Sequence, residues 1–159
     1  MKKIILFGFS LFVFAQINAQ TKITKTNIIG KWTILAIDMP GMIYYNFEKD
    51  SLAVGETLKL QMPDPSQIDA IKPMMKSQLS GFSKGSFLFN TDGTAELNSG
   101  MEGPQTSTYT VDEEKSEITA IEKNLQQTVF KADFLKENLR LYIKTPQGDM
   151  LMVLKKGKQ

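Results

Sequence analysis

Acidic side chains carry whatever catalytic or metal chemistry this chain has to offer. There is no histidine and no cysteine among its 159 residues, which removes Ser-His-Asp and Cys-His nucleophilic sites and the usual zinc and haem ligands. A glycosidase-type carboxylate pair needs two acids at a set separation across the scissile bond. No acidic pair here has a context that marks it out. Asp112-Glu113-Glu114 has the charge to hold a calcium ion, but it reads as a solvated hairpin tip. Asn90-Thr91-Asp92-Gly93 resembles part of a calcium loop, lacks the distal Glu, and is better read as a turn. The expectation is no metal, no cofactor and no enzymatic activity.

What remains is apolar surface. Eight methionines lie beyond the first nineteen residues, and methionine suits a cavity that adapts to its contents as well as it suits a core gap. By alternation along their strands, Phe87, Phe89, Phe130, Phe134 and Met152 fall on the interior side. They are candidates to line a space for a small hydrophobic ligand, with Tyr44 and Tyr45 offering a polar handle at its mouth.

These side chains need a sheet to hold them. Ile28 to Ile37 is apolar, rich in β-branched residues and uncharged from Trp32 to Ile37, so it reads as a first strand beside a core. Gly30 lets the backbone bend where that strand begins, and Trp32, the only tryptophan, supplies a large plug. Asp38-Met39-Pro40-Gly41 is a turn. Ile43–Phe47 and Leu52–Met62 read as two strands, the second bent at Gly55.

Asp64 through Gly81 has a helical signature: Asp64 as N-cap, Pro65 in the first turn, and Ile68, Ile71, Met75, Leu79 and Phe82 at three- and four-residue steps. Pro73 predicts a kink or a break within it. From Lys84 the period becomes two. Ser86–Asn90 turns at Asp92-Gly93 into Thr94–Asn98. Thr106–Val111 pairs with Ser116–Glu122, then come Gln127–Leu135, the Leu139–Ile143 strand, the Pro146-Gln147-Gly148 turn and Met150–Leu154. Eight to ten strands in near-meander order favour a closed antiparallel barrel of about eight strands, with the helix covering an edge or a mouth.

Residues 1–19 form a separate unit. A basic start (Lys2, Lys3), an apolar stretch over Ile4–Phe14 and the small Ala19 before a cut have the pattern of a secretory signal peptide. The chain from Gln20 to Gln159 is then a single domain, periplasmic or extracellular. It lacks the cysteine that a lipoprotein anchor needs and, without the leader's two lysines, has 17 basic residues against 17 acidic. A neutral chain has no basic stripe for phosphates, which argues against nucleic acid, and no stretch is long enough for a helical membrane span. Gln20–Asn27 is polar and reads as a loose arm.

With Ile28-x-Gly30-x-Trp32 at the head of the first strand, the meander after it, and Phe89-Asn90-Thr91-Asp92-Gly93-Thr94 followed by Tyr109-Thr110-Val111, the chain resembles the exported lipocalin-like proteins of Gram-negative bacteria. The Thr-Asp-Tyr motif of true lipocalins is absent, and the helix comes mid-chain instead of after the last strand. The resemblance implies that Gly30 and Trp32 close one barrel end, with a basic residue from a late strand over the indole. Arg140, the only arginine, is the candidate. It also implies a monomeric, non-enzymatic carrier of a small hydrophobic molecule. The alternative is a surface interaction module, an inhibitor or adhesion scaffold with a filled barrel, using loops such as Met39–Met42 and Ser99–Pro104.

Overall fold

Strand β2 (Gly30–Met39) organises the sheet because it is paired along both edges. The structure, a computed structural model, describes residues 20–101, 103–145 and 148–157. Residues 1–19, the expected leader, and the Pro146-Gln147 part of the expected last turn lie outside the described residues. After the two-residue β1 (Gln20–Thr21) and β2 come β3 (Ile43–Asn46), β4 (Ser51–Val54), helices α1 (Glu56–Gln61) and α2 (Pro65–Leu79), and a 3-10 turn over Ser80–Lys84. Then follow β5 (Ser86–Phe89), β6 (Thr94–Asn98), β7 (Pro104–Asp112), β8 (Glu117–Glu122), β9 (Gln127–Leu135), β10 (Asn138–Thr145) and β11 (Gly148–Lys156).

From β5 to β11 each strand pairs antiparallel with the next, and β11 returns to β2, closing an eight-stranded antiparallel barrel. The lower half of β2 (Gly30–Thr33) pairs with β5, while its upper half (Ala36–Met39) pairs with β3 on the same side. The sheet therefore forks, and β3–β4 splays away from β5. The register between β2 and β11 slips at the fork: Val153 faces Ala36 but Leu154 faces Ile34, so Leu35 is an extra residue on β2. The bulge changes the spacing of core residues from two to three, placing Trp32, Ile34 and then Ile37 in the main core.

The splayed hairpin packs on the helices. Ile43 and Tyr45 of β3 form a second core with Leu58 of α1 and Leu79 of α2, to which Ile71, Met75 and Phe82 add the rest of the helical stripe. Met39, Phe47 and Phe82 touch both cores and join them.

Three expectations change. The stretch 52–62 is not one strand: β4 ends at Val54 and α1 begins at Glu56. Gly55 marks the switch because its backbone is pressed against Gly41 so closely that a Cβ would collide there. The amides of Thr57 and Leu58 then close on the Gly41 carbonyl, at 2.9 and 3.3 Å. Secondly, Gln20–Asn27 is not loose. Thr21 pairs with Phe134 of β9, and Ile23 and Ile28 are fully buried. The polar residues between them make a turn, with Asn27 Oδ1 accepting the Thr24 amide at 2.7 Å. Two isoleucines flanking a polar turn outweigh its composition, since each gains about 1.5–3 kcal/mol on burial.

Thirdly, of the kink or break expected at Pro73, the break does not occur: α2 is one helix over Pro65–Leu79. Pro73 is exposed, and it deprives the Asp69 carbonyl of an amide partner. The helix persists because one face is tied to the second core by Ile71, Met75 and Leu79. Replacing Pro73 by Ala should therefore stabilise the protein, by up to about 3 kcal/mol, read as a higher denaturant midpoint at unchanged slope.

Candidate functional site

One end of the barrel is built around Trp32, with Ile23 and Ile28 fully buried in the same core. Gly30 has φ of +120°, a conformation that side-chain-bearing residues rarely adopt, and this turns the chain so that both Ile28 and Trp32 reach the core. The indole Nε1–H donates to the Ile28 carbonyl at 2.7 Å, so the one polar atom of a 2% exposed ring is satisfied. Phe134 lies 5.7 Å away, tilted against it. The cation over the indole is Lys156, from the end of β11, with Nζ 5.5 Å from the ring centre. It pairs with Trp32 in register across the closing ladder.

Arg140, expected in that role, sits on the opposite face of the sheet. Leu139 and Leu141 point into the barrel, so strand alternation turns residue 140 outward. There its guanidinium grips Asp133 of β9 with two hydrogen bonds, Nε to Oδ1 at 2.5 Å and Nη2 to Oδ2 at 2.9 Å. The Tyr142 ring lies 5.6 Å away, and its hydroxyl donates to the same carboxylate. Asp133 raises the proton affinity of Arg140, and burial followed by the Asp133 charge raises that of the Tyr142 hydroxyl.

Five of the predicted lining residues, Phe87, Phe89, Phe130, Phe134 and Met152, do meet inside the barrel. They meet each other and their neighbours: Phe87 stacks edge-on to Phe130 at 6.4 Å, and Phe89 edge-on to Tyr109 at 5.1 Å. Ala36, Ile37, Ile118, Leu139, Leu141 and Leu154 leave no surface that a water molecule could touch. Ser107 Oγ is buried among the interior side chains with no hydrogen-bond partner. The described interior holds one buried apolar cluster.

Tyr44 and Tyr45 go elsewhere. They lie on the two faces of β3. Tyr44 is exposed, whereas Tyr45 is buried in the second core and edge-on to Phe47 at 4.7 Å. The Tyr45 hydroxyl donates to Asp50 Oδ1 at 2.6 Å, and Asp50 is bridged to Lys76 of α2 at 2.9 Å. Tyr45 thus ties the hairpin turn to the helix. The hydrogen bond to the Asp50 carboxylate, then burial, hold the proton on Tyr45, pushing its pKa up to about 12, while the same contact lowers that of Asp50.

The acidic segments of the sequence serve as turns. Asp112 Oδ1 accepts the Lys115 amide at 2.9 Å, and Glu113 accepts the Lys25 amide at 3.0 Å. Asp92 Oδ1 accepts from both the amide and the hydroxyl of Thr94, across the tight turn where Gly93 has φ of +87°.

Two recesses stand out among the described residues. One, of about 1040 Å³, lies along β8, β9 and β10 and is lined by Lys22, Glu117, Val129, Lys131, Tyr142 and Lys144 of the outer face together with Thr128, Ala132 and Ile143 of the other. Beside it, Ile121, Leu125, Val129 and Tyr142 stand exposed, Leu125 at 83%. The ladder sets Val129 diagonal to Ile121 on one face. The other recess, of about 430 Å³, lies between β4 and the helices. Sequence reasoning missed both, because each depends on which strands become neighbours. No family model, curated protein or solved structure matches this chain.

Trp32→Ala should cost about 3–5 kcal/mol through lost burial and the cavity left behind. In a double-mutant cycle the Trp32–Lys156 coupling should be about 0.5–1 kcal/mol, and the Trp32–Arg140 coupling should vanish within the usual additivity error of about 0.3–0.5 kcal/mol. Tyr45 gives a pH test. Its folded pKa is raised, so its contribution to stability is complete below the ordinary value of 10 and is lost as pH climbs through about 12. Of the four tyrosines, Tyr45 should ionise last in a tyrosinate absorbance titration, and Tyr45→Phe should remove that final step and its share of the alkaline loss of stability.

Proposed function

We propose that this chain is an exported, non-enzymatic, monomeric lipocalin-like barrel that acts through its outer surface, as a protein-interaction module. The observation that carries the reading is the buried apolar cluster inside the barrel. The same five side chains that would line a ligand cavity lie 1–7% exposed within one apolar cluster, which supports a filled interior. A carrier of the kind the family resemblance implies needs a cavity of about 300 Å³ or more. To admit a hydrophobic molecule, this interior would have to lose several well-packed aromatic contacts.

Support for the outer surface comes from its composition. Ile121, Leu125, Val129 and Tyr142 give the β8–β10 face an apolar strip. Around it Lys22, Lys131 and Lys144 alternate with Glu117 and Asp149, so the face mixes apolar contact with both signs of charge. That arrangement is typical of an interface with an apolar centre and a polar rim. The leader at Met1–Ala19 supports export, and the lack of histidine and cysteine supports a binding role over catalysis.

Native mass spectrometry of the purified mature chain tests the reading. The expected spectrum is that of the polypeptide alone, and any apolar dye bound at the surface of the folded protein should not be displaced by fatty acids. A small hydrophobic molecule retained at one per chain, or a dye bound with micromolar affinity and displaced by fatty acids, would restore the carrier reading and end this one.

A further inference from the structure

We infer that the recess beside β4 is a docking groove for a single extended peptide segment of another protein, bound by strand addition to the β4 edge. This rests on the outer-surface reading and names its partner class. The argument starts from hydrogen-bond parity. The Gly55 amide donates to the Met42 carbonyl at 2.7 Å, and in an antiparallel ladder that makes Ile43–Val54 a non-hydrogen-bonded pair. Tyr45–Leu52, two residues along, is another. The N–H and C=O of Leu52 and Val54 therefore point away from β3, and among the described residues no strand pairs that edge.

The edge carries no charge in Ser51-Leu52-Ala53-Val54, and lacks the lysine, proline or bulge that commonly shields a free strand. Its one protective feature is brevity, and four residues still offer a peptide the main-chain bonds of Leu52 and Val54. The recess next to it is lined by Leu52, Val54, Met62, Pro63, Pro65 and Ile68, and its rim by Lys59, Asp69 and Lys72. Free main-chain groups select an extended backbone, and an apolar wall selects an aliphatic side chain at alternate positions of it.

The wall also decides between occupants. The Met62–Pro65 connection and the start of α2 close the far side of the groove. A strand that brings its own sheet neighbour, such as β4 of a second copy, would meet that wall. An isolated stretch of chain fits. The described ends of this chain, at β1 and β11, lie at the Trp32 end of the barrel, away from the β3–β4 fork.

Selection of a phage-displayed library of short linear peptides on the folded mature chain tests this. Enriched peptides should alternate aliphatic and polar residues, and the bound synthetic peptide should slow amide hydrogen exchange at Leu52 and Val54 at least tenfold. Ile68→Asp, which puts a charge in the groove wall, should weaken binding at least tenfold. So should Leu52→Pro, which removes an edge N–H without touching the β3 ladder. Val129→Lys on the opposite recess should leave affinity unchanged. If Leu52→Pro fails to fold, the exchange measurement on the wild-type chain decides. No enrichment, or peptides indifferent to Ile68→Asp and protecting the β8–β10 face, overturns the groove and leaves the outer-surface reading standing. A small molecule held in the lumen would instead overturn that broader reading.

Discussion

Closure of the sheet through the β11–β2 ladder is the constraint on which the other features depend. A meander of β5 to β11 has two open edges, and β2 covers both, with β5 on one side and β11 on the other. It is longer than β5, so its upper half has an edge to spare, and β3 takes it. Hence the fork, the second core under the helices, and the bulge at Leu35 that lets one strand serve two directions of sheet. Gly30 supplies the other adjustment, a positive φ at the point where the chain leaves the barrel floor and becomes a wall.

Closure also decides what the interior can do. Eight strands enclose a space that side chains can just fill, and here Phe, Leu, Ile and Met side chains form the buried cluster inside it. Aromatic pairs recur through that cluster, Trp32–Phe134 and Phe87–Phe130 among them. The two recesses are where the protein surface departs from convexity, one over the flank of the barrel and one where the fork leaves a strand edge uncovered.

The charged residues hold outlying parts in place. Asp133, Arg140 and Tyr142 link β9 to β10 on the outer face. Tyr45, Asp50 and Lys76 link the splayed hairpin to α2, and Lys155 reaches Glu48 in the β3–β4 turn at 2.6 Å. Exposed pairs of this kind contribute little each. The partly buried Arg140–Asp133 fork is the one whose two-point geometry also sets direction.

Local periodicity determined most of the fold. Alternation in β5 to β11, the Asp92-Gly93 turn, the capped helix at Asp64 and the Gly30–Trp32 strand start are each a matter of neighbours in the chain, and each appears where its residues place it. Even the outward direction of Arg140 was legible, since Leu139 and Leu141 alternate with it. The family resemblance pointed to an arginine, whereas the ladder register selects Lys156. Tertiary structure alone decided the rest. Whether Ile23 and Ile28 plug the floor, whether Tyr45 faces a lumen or a helix, and whether Phe87 and Phe130 line a hole or fill it all turn on residues brought together from distant strands. A period of two says which side of a sheet a residue is on. It carries no information about the shape of the space on that side, or about which strand edge is left unpaired.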